Sequence, residues 1–291
     1  MSVTTGVLPP ITTPMDDSGS VDHDALREHV HRLEAAGVHG VIPCGSTGER
    51  ATLDPDEHRR VIETTVDAAS TPVLAGTGAS STREAIELTR HAADVGADGG
   101  LIIYPYYSWP ANDNVVRHYE AIADAVDIPI VIYNIPKRTG RNLKPDAAVR
   151  LAEHPNIAGI KESAGDINQI FELLKRTRDL DFDVLAGYDS QALTTILMGG
   201  TGVTSVAANV FPETVVTLYE AAANRDLDAG IRAHEEVLEM EEMMNLETIP
   251  IAVKAALDVL DVHGATVRPP LYEASDETRA TLEAFIDARS G

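Results

Sequence analysis

Residues 81–103 read STREAIELTRHAADVGADGGLII, and the reading of this stretch decides the fold. Residues 81–95 are amphipathic at helical spacing, residues 100–103 are a short uncharged apolar run, and Gly96 stands at the joint. A glycine there accepts the left-handed conformation with which helices commonly end. The same helix–glycine–run joint recurs at Ala36-Gly37, before residues 40–43, and at Met198-Gly199-Gly200, before residues 203–206.

Working outward, apolar runs rich in Val and Ile fall at residues 6–11, 40–43, 73–75, 100–103, 130–133, 157–160, 184–186 and 203–206. They are nearly free of charge, as strands buried on both faces must be. Amphipathic stretches separate them at 24–36, 55–69, 81–95, 113–125, 145–153, 168–178 and 190–198, and another follows at 212–223. Asp54 followed by Pro55 is a helix start, a side-chain cap and then a residue that needs no N–H. Eight βα units in about 220 residues predict an α/β fold, a (β/α)8 TIM barrel. An open doubly wound sheet is the other arrangement such a pattern allows. Helical stretches at 226–245, 250–259 and 275–288 follow with no strands between them. The expected organisation is therefore a barrel over residues 1–223 and a C-terminal helical extension over 224–291.

With 23 basic against 46 acidic residues the chain carries a formal charge of −23, which argues against nucleic acid and anionic membranes as partners. Lysine occurs only at 137, 144, 161, 175 and 254. So many carboxylates with so few lysines fit a salt-rich medium that screens self-repulsion. One cysteine, Cys44, rules out a disulfide within the chain. The N-terminus lacks the pattern of a signal peptide, and no apolar run reaches membrane-spanning length, so a cytoplasmic protein is expected.

Barrels of this kind place their chemistry at the C-terminal ends of strands. The sixth run ends in Lys161. A partly desolvated ammonium loses basicity, which frees its amine to attack a carbonyl. The fifth run ends in Tyr133, whose phenol can exchange protons in the same mouth, and Arg138 follows with a planar fork for a carboxylate. After the second run, Gly45-Ser46-Thr47-Gly48-Glu49 offers hydroxyls and clustered N–H groups to a small anion, and no Gly-Lys-Ser/Thr sequence makes it a Walker loop. After the fourth, Tyr104, Tyr106, Tyr107 and Trp109 gather much of a scarce aromatic complement. His29 and His31 imitate a paired metal ligand, but residues two apart on a helix point apart, so no metal is expected.

These motifs resemble the dihydrodipicolinate synthase / N-acetylneuraminate lyase family of class I aldolases over nearly the whole chain. The resemblance rests on residues 9–14 (PPITTP), on Gly45-Ser46-Thr47-Gly48-Glu49, Pro105-Tyr106-Tyr107 and Tyr133-Asn134-Ile135-Pro136, and on Gly159-Ile160-Lys161-Glu162. It implies a TIM barrel with a helical tail, no cofactor and a homotetramer. It also implies a Schiff base between pyruvate and Lys161, with Tyr133 as proton shuttle in a relay with Ser46 and Tyr107, the latter reaching into a neighbouring subunit. Thr47 would hold the pyruvate carboxylate, while Thr204 and Gly187 would border it. Arg138 matches the arginine that synthases of the family use for the carboxylate of a second substrate, aspartate semialdehyde. This favours 4-hydroxy-tetrahydrodipicolinate synthase, within a haloarchaeal-type member of the family. Departures at Ser46, Ser108-Trp109, Gly187-Tyr188-Asp189 and Glu247-Thr248-Ile249-Pro250 keep a 2-keto-3-deoxy sugar-acid aldolase, phosphorylated or not, as the alternative. A non-catalytic keto-acid-binding barrel is more remote, since it would not need Lys161 and Tyr133.

The charge balance generates a first prediction. The melting temperature should rise by several degrees between low salt and about 2 M KCl, because the Debye length shrinks to about 3 Å by 1 M. A thermal melt that falls steadily over that range would contradict it.

Overall fold

The structure, a computed structural model, describes residues 3–289. The outermost residues of both expected spans, 1–2 and 290–291, lie outside it.

The apolar runs form strands β1 (Gly6–Val7), β2 (Leu74–Gly76), β3 (Gly99–Ile103), β4 (Ile130–Asn134), β5 (Ile157–Glu162), β6 (Asp183–Ala186) and β7 (Gly202–Val203). All neighbours are parallel, in the order β1-β7-β6-β5-β4-β3-β2. The run at 40–43, expected as a strand, instead contributes two single parallel bridges, Val41 to Val73 and Ile42 to Pro10. Its backbone spans the gap between the two sheet edges. The Ile42 N–H donates to the Pro9 carbonyl (2.9 Å), the Ile11 N–H to the Ile42 carbonyl (3.0 Å) and the Leu74 N–H to the Val41 carbonyl (3.0 Å). The sheet thus closes into a barrel with residues 41–43 as its eighth stave. Pro9, Pro10, Pro43 and Pro72 explain why this stave and the latter part of the expected 6–11 strand lack a regular ladder, since proline has no N–H to give. The last run is also shorter than expected, because Val206 turns into the 3-10 helix Ala207–Asn209.

The period of two sorts each strand. Leu8, Ile42, Leu74, Leu101, Val131 and Leu185 fill the barrel interior, while Ile102, Ile130, Ile132, Ile160 and Val184 pack outward against the helices. Burial of each such side chain is worth roughly 1.5–3 kcal/mol, so a charged residue on this wall needs a reason other than stability. The helices behave as their patterns predict. Thr82–Asp94, capped by Ser81, buries Ala85, Leu88 and Ala92. In His23–Ala35, His29 is buried against Asn209 and His31 is exposed, so the two do point apart.

The C-terminal helices Leu227–Met244, Ile251–Val259 and Asp276–Asp287 pack on the barrel. Val237 and Met240 join the core with Val216, and Met244, Val253, Leu257, Leu282 and Ile286 cluster with Val210. The chain between the first two helices crosses the mouth of the barrel. Among the described residues no helix is long and apolar enough to cross a membrane.

Candidate active site

The site begins with a register. On β4 and β5, Tyr133 stands beside Lys161 and Asn134 beside Glu162. Successive residues alternate faces, so the first pair points into the barrel and the second out toward the helices. The outward pair is locked. The Asn134 amide (Nδ2) donates to both Glu162 oxygens at 3.0 Å, Gln169 donates to Glu162 at 2.8 Å, and the Ala164 N–H does so at 2.6 Å. Asn134 in turn accepts the Leu143 N–H at 2.9 Å. Fixing the outward side chains fixes the direction of the inward ones.

Lys161 is 4% exposed, and its ammonium lies 4.3 Å from the centroid of the Tyr133 ring. Burial holds its pKa down, from 10.5 to about 7, with Arg138 adding to the effect and Asp189 opposing it. Among the described residues no carboxylate forms an ion pair with it. The other buried lysine, Lys254, stands 2.5 Å from Glu49. An amine that is partly neutral near pH 7 is a nucleophile, whereas a paired ammonium is not. Tyr133 moves the other way. Burial pushes its phenol up to about 12, against the pull of the Ser46 and Ser163 hydroxyls, so at neutral pH it carries its proton.

Lys161, Tyr133, Ser46, Thr47, Arg138 and Gly187 all line one chamber of 520 Å³. Its outer wall comes from Tyr188, Asp189, Glu241 and Thr248. A second, mostly apolar chamber of 340 Å³ shares Ser46, Tyr133, Arg138 and Thr248 with it and continues along Leu101, Ile103 and Leu271. A side chain at Gly187 is excluded, since a Cβ there would lie 1.8 Å from the Ser163 Oγ. Ser46 and Thr47 ride on a turn entered and left through left-handed residues, Cys44 at φ 55° and Glu49 at φ 53°. The Thr13 hydroxyl donates to the Gly48 carbonyl within it at 2.8 Å. Arg138 sits exposed at the rim on the short helix Pro136–Thr139, with Nη2 3.4 Å from the Ile249 carbonyl. The single tryptophan fastens this loop. Trp109 Nε1 donates to the Thr139 carbonyl at 3.0 Å, and the Arg141 guanidinium stacks 5.0 Å above its ring.

Two expected site residues stay apart from the others. Tyr107 lines neither chamber and is 90% exposed, with a left-handed φ of 74°. Thr204 is buried behind the wall, its hydroxyl donating to the Ala186 carbonyl at 3.2 Å, and Val206 takes the lining position instead. The structure adds residues that sequence reasoning passed over. Asp189 accepts the Val206 and Ala207 N–H groups through one oxygen at 3.1 and 3.3 Å, with the Ser205 hydroxyl as a further partner. Burial, with help from Glu241, raises its pKa to about 7. Asp189 stood in the sequence only as part of the departure Gly187-Tyr188-Asp189, without a role of its own. Lys254 had a better signal, a lysine in an apolar helix of a lysine-poor chain.

The chain matches the dihydrodipicolinate synthetase family over residues 3–289. It is 48% identical to the 4-hydroxy-tetrahydrodipicolinate synthase of Natronomonas pharaonis, covering 97% of this chain and 96% of that one. It is 46% identical to the enzyme of the same name from Haloarcula marismortui, covering 94% and 89%. Among solved structures it is similar to the chloride-inhibited dihydrodipicolinate synthase of Acinetobacter baumannii, complexed with pyruvate. That likeness has a TM-score of 0.95 at 36% identity and covers 98% of each chain.

The lowered pKa of Lys161 sets a pH dependence. Below about 7 the amine is protonated and inert; above it the amine is free. Trapping of Lys161 by pyruvate and cyanoborohydride, followed by peptide mapping, should therefore rise through about pH 7 and level off above it. A rate still climbing toward pH 10 would assign the amine an ordinary pKa.

Proposed function

The chain belongs to the dihydrodipicolinate synthetase family, and we propose that its chamber joins pyruvate to aspartate semialdehyde, as a 4-hydroxy-tetrahydrodipicolinate synthase. The observation that carries the reading is Lys161, buried with no ion-paired carboxylate among the described residues and facing the Tyr133 phenol across one strand pair.

In this reading the Lys161 amine adds to the keto carbon of pyruvate, and loss of water leaves an iminium. Deprotonation of the pyruvate methyl gives an enamine, which attacks the aldehyde of the second substrate. The amine of that substrate then closes on the imine carbon and releases Lys161. Each step moves a proton, and Tyr133 is the group placed to carry it, with Ser46 at its hydroxyl. Thr47, 2% exposed on the turn beside Lys161, holds the pyruvate carboxylate, with Gly187 bordering it and Thr204 behind. Arg138 grips the carboxylate of the aldehyde from the rim. Tyr107, an aromatic 90% exposed on the isolated chain, completes the relay in a neighbouring copy of a homotetramer. No cofactor is required by these steps.

Tyr133→Phe should lower turnover by about 10²-fold or more, while the pyruvate adduct still forms slowly. Turnover within about twofold of wild type would assign Tyr133 to packing. Arg138→Ala should lower kcat/KM for aspartate semialdehyde by about 10²-fold, the size of a charged hydrogen-bonded contact, and move the KM for pyruvate much less. A wild-type enzyme that ignores aspartate semialdehyde but cleaves 2-keto-3-deoxygluconate or its 6-phosphate would replace the synthase with the sugar-acid aldolase. The departures at Tyr188 and Thr248, both on the chamber wall, would then be the residues that select the sugar.

A further inference from the structure

Lys254 projects from the C-terminal helix Ile251–Val259 and has no solvent exposure. Its Nζ stands 2.5 Å from Glu49 Oε1 and donates to the Thr266 carbonyl at 2.7 Å. The other Glu49 oxygen accepts the Arg268 N–H at 3.1 Å. Arg268 then ties down the next stretch of chain, donating to the Thr52 carbonyl at 2.9 Å and to both Glu57 oxygens at 2.6 Å. The C-terminal layer therefore holds the segment after the eighth stave through one fully buried ion pair, Lys254 with Glu49, and one partly buried pair, Arg268 with Glu57.

A buried ion pair is a poor device for stability, because desolvation offsets most of the attraction. Its value lies in the geometry it enforces, and here that geometry is costly. Glu49 is a non-glycine residue at φ 53°, and such a conformation persists only where its surroundings overdetermine it. Glu49 is also the last residue of the turn that carries Ser46 and Thr47 into the Lys161 chamber. The other side-chain ties on that turn are the Thr13 hydroxyl on the Gly48 carbonyl, the Thr52 hydroxyl on the Glu49 carbonyl at 3.0 Å and the Cys44 thiol on the His58 carbonyl at 3.6 Å, and none of them holds the Glu49 side chain.

We infer that Lys254 is a positioning residue for the reaction: its buried pairing with Glu49 sets the turn that presents Thr47 and Ser46 to the substrate bound at Lys161. Lys254 touches no reacting atom. It acts through Glu49 and the turn, and the C-terminal helices are thereby part of the pyruvate site. The inference rests on the reading that Lys161 forms a Schiff base with pyruvate and that Thr47 holds the carboxylate.

The experiment is borohydride trapping of pyruvate on Lys161, measured against pyruvate concentration, with thermal unfolding in parallel. The variants are Lys254→Met and the double Glu49→Gln/Lys254→Met, which leaves no uncompensated buried charge and so keeps a folded protein within reach. A group displaced by about 1 Å can cost up to about 10²-fold, so the half-saturating pyruvate concentration is expected to rise about tenfold in any folded variant. The trapping rate at saturation should fall by a smaller factor than the half-saturating concentration rises, since Lys161 and Tyr133 are untouched and only the Ser46 end of the relay moves with the turn. A folded variant with wild-type half-saturation would overturn the inference and leave the pair a purely structural one, as would loss of folding in both variants. Absence of any adduct on wild-type Lys161 is a separate result. It would remove the Schiff-base reading, and this inference with it.

Discussion

Burying Lys161 with no ion-paired carboxylate among the described residues is the constraint on which the rest of this structure depends. The shift of Lys161 from 10.5 to about 7 corresponds to roughly 5 kcal/mol between its two protonation states, at about 1.4 kcal/mol per unit. That is a large fraction of the 5–15 kcal/mol by which a domain is usually stable. The cost to folding is full below about pH 7 and shrinks as the pH rises toward 10.5, since the unfolded chain binds the proton more tightly across that window. The apolar interior from Leu8 to Leu185 and the helix-packed outer face of the wall offset it. The locked pair Asn134 and Glu162 fixes the outward face of the two strands, so that Lys161 enters the barrel from the inward face.

The two buried lysines show how pairing assigns chemistry. Both are almost fully buried, and burial lowers the pKa of both. Lys254 has Glu49 at ion-pair distance, which opposes that effect and turns the ammonium into a structural cation. Lys161 has a phenol ring and an aspartate whose own ionisation is suppressed by burial. The same side chain is a clamp in one place and a nucleophile in the other, and the difference lies in the partner. The acid-rich composition works at a different scale. It governs how the surface meets salt and polyanions and leaves the interior arithmetic unchanged.

Much of this was legible in the linear chain. Uncharged Val/Ile runs with helix–glycine joints carry the barrel, because burial on both faces leaves a local signature in composition and period. The same logic exposed Lys161 and Tyr133, a charged and a phenolic residue closing apolar runs on neighbouring strands. Six expected site residues meet in one chamber because strand ends converge wherever a barrel closes. The resemblance supplied roles for them that periodicity could not.

What local pattern could not hold was decided by closure. The eighth stave looked like a strand from its side chains, yet its prolines and those of its neighbours reduce it to two bridges. Thr204 follows a barrel strand directly, but its hydroxyl is spent on the Ala186 carbonyl. Glu49 and Lys254 belong to opposite ends of the chain, and nothing near either residue announces the other. The sequence by itself determined which segments must leave water and which side chains stand at the strand ends, because desolvation and period act over a few residues. Only the tertiary structure decided which distant groups share the low-dielectric interior, because the strength of a buried charge depends on what lies within a few ångströms of it.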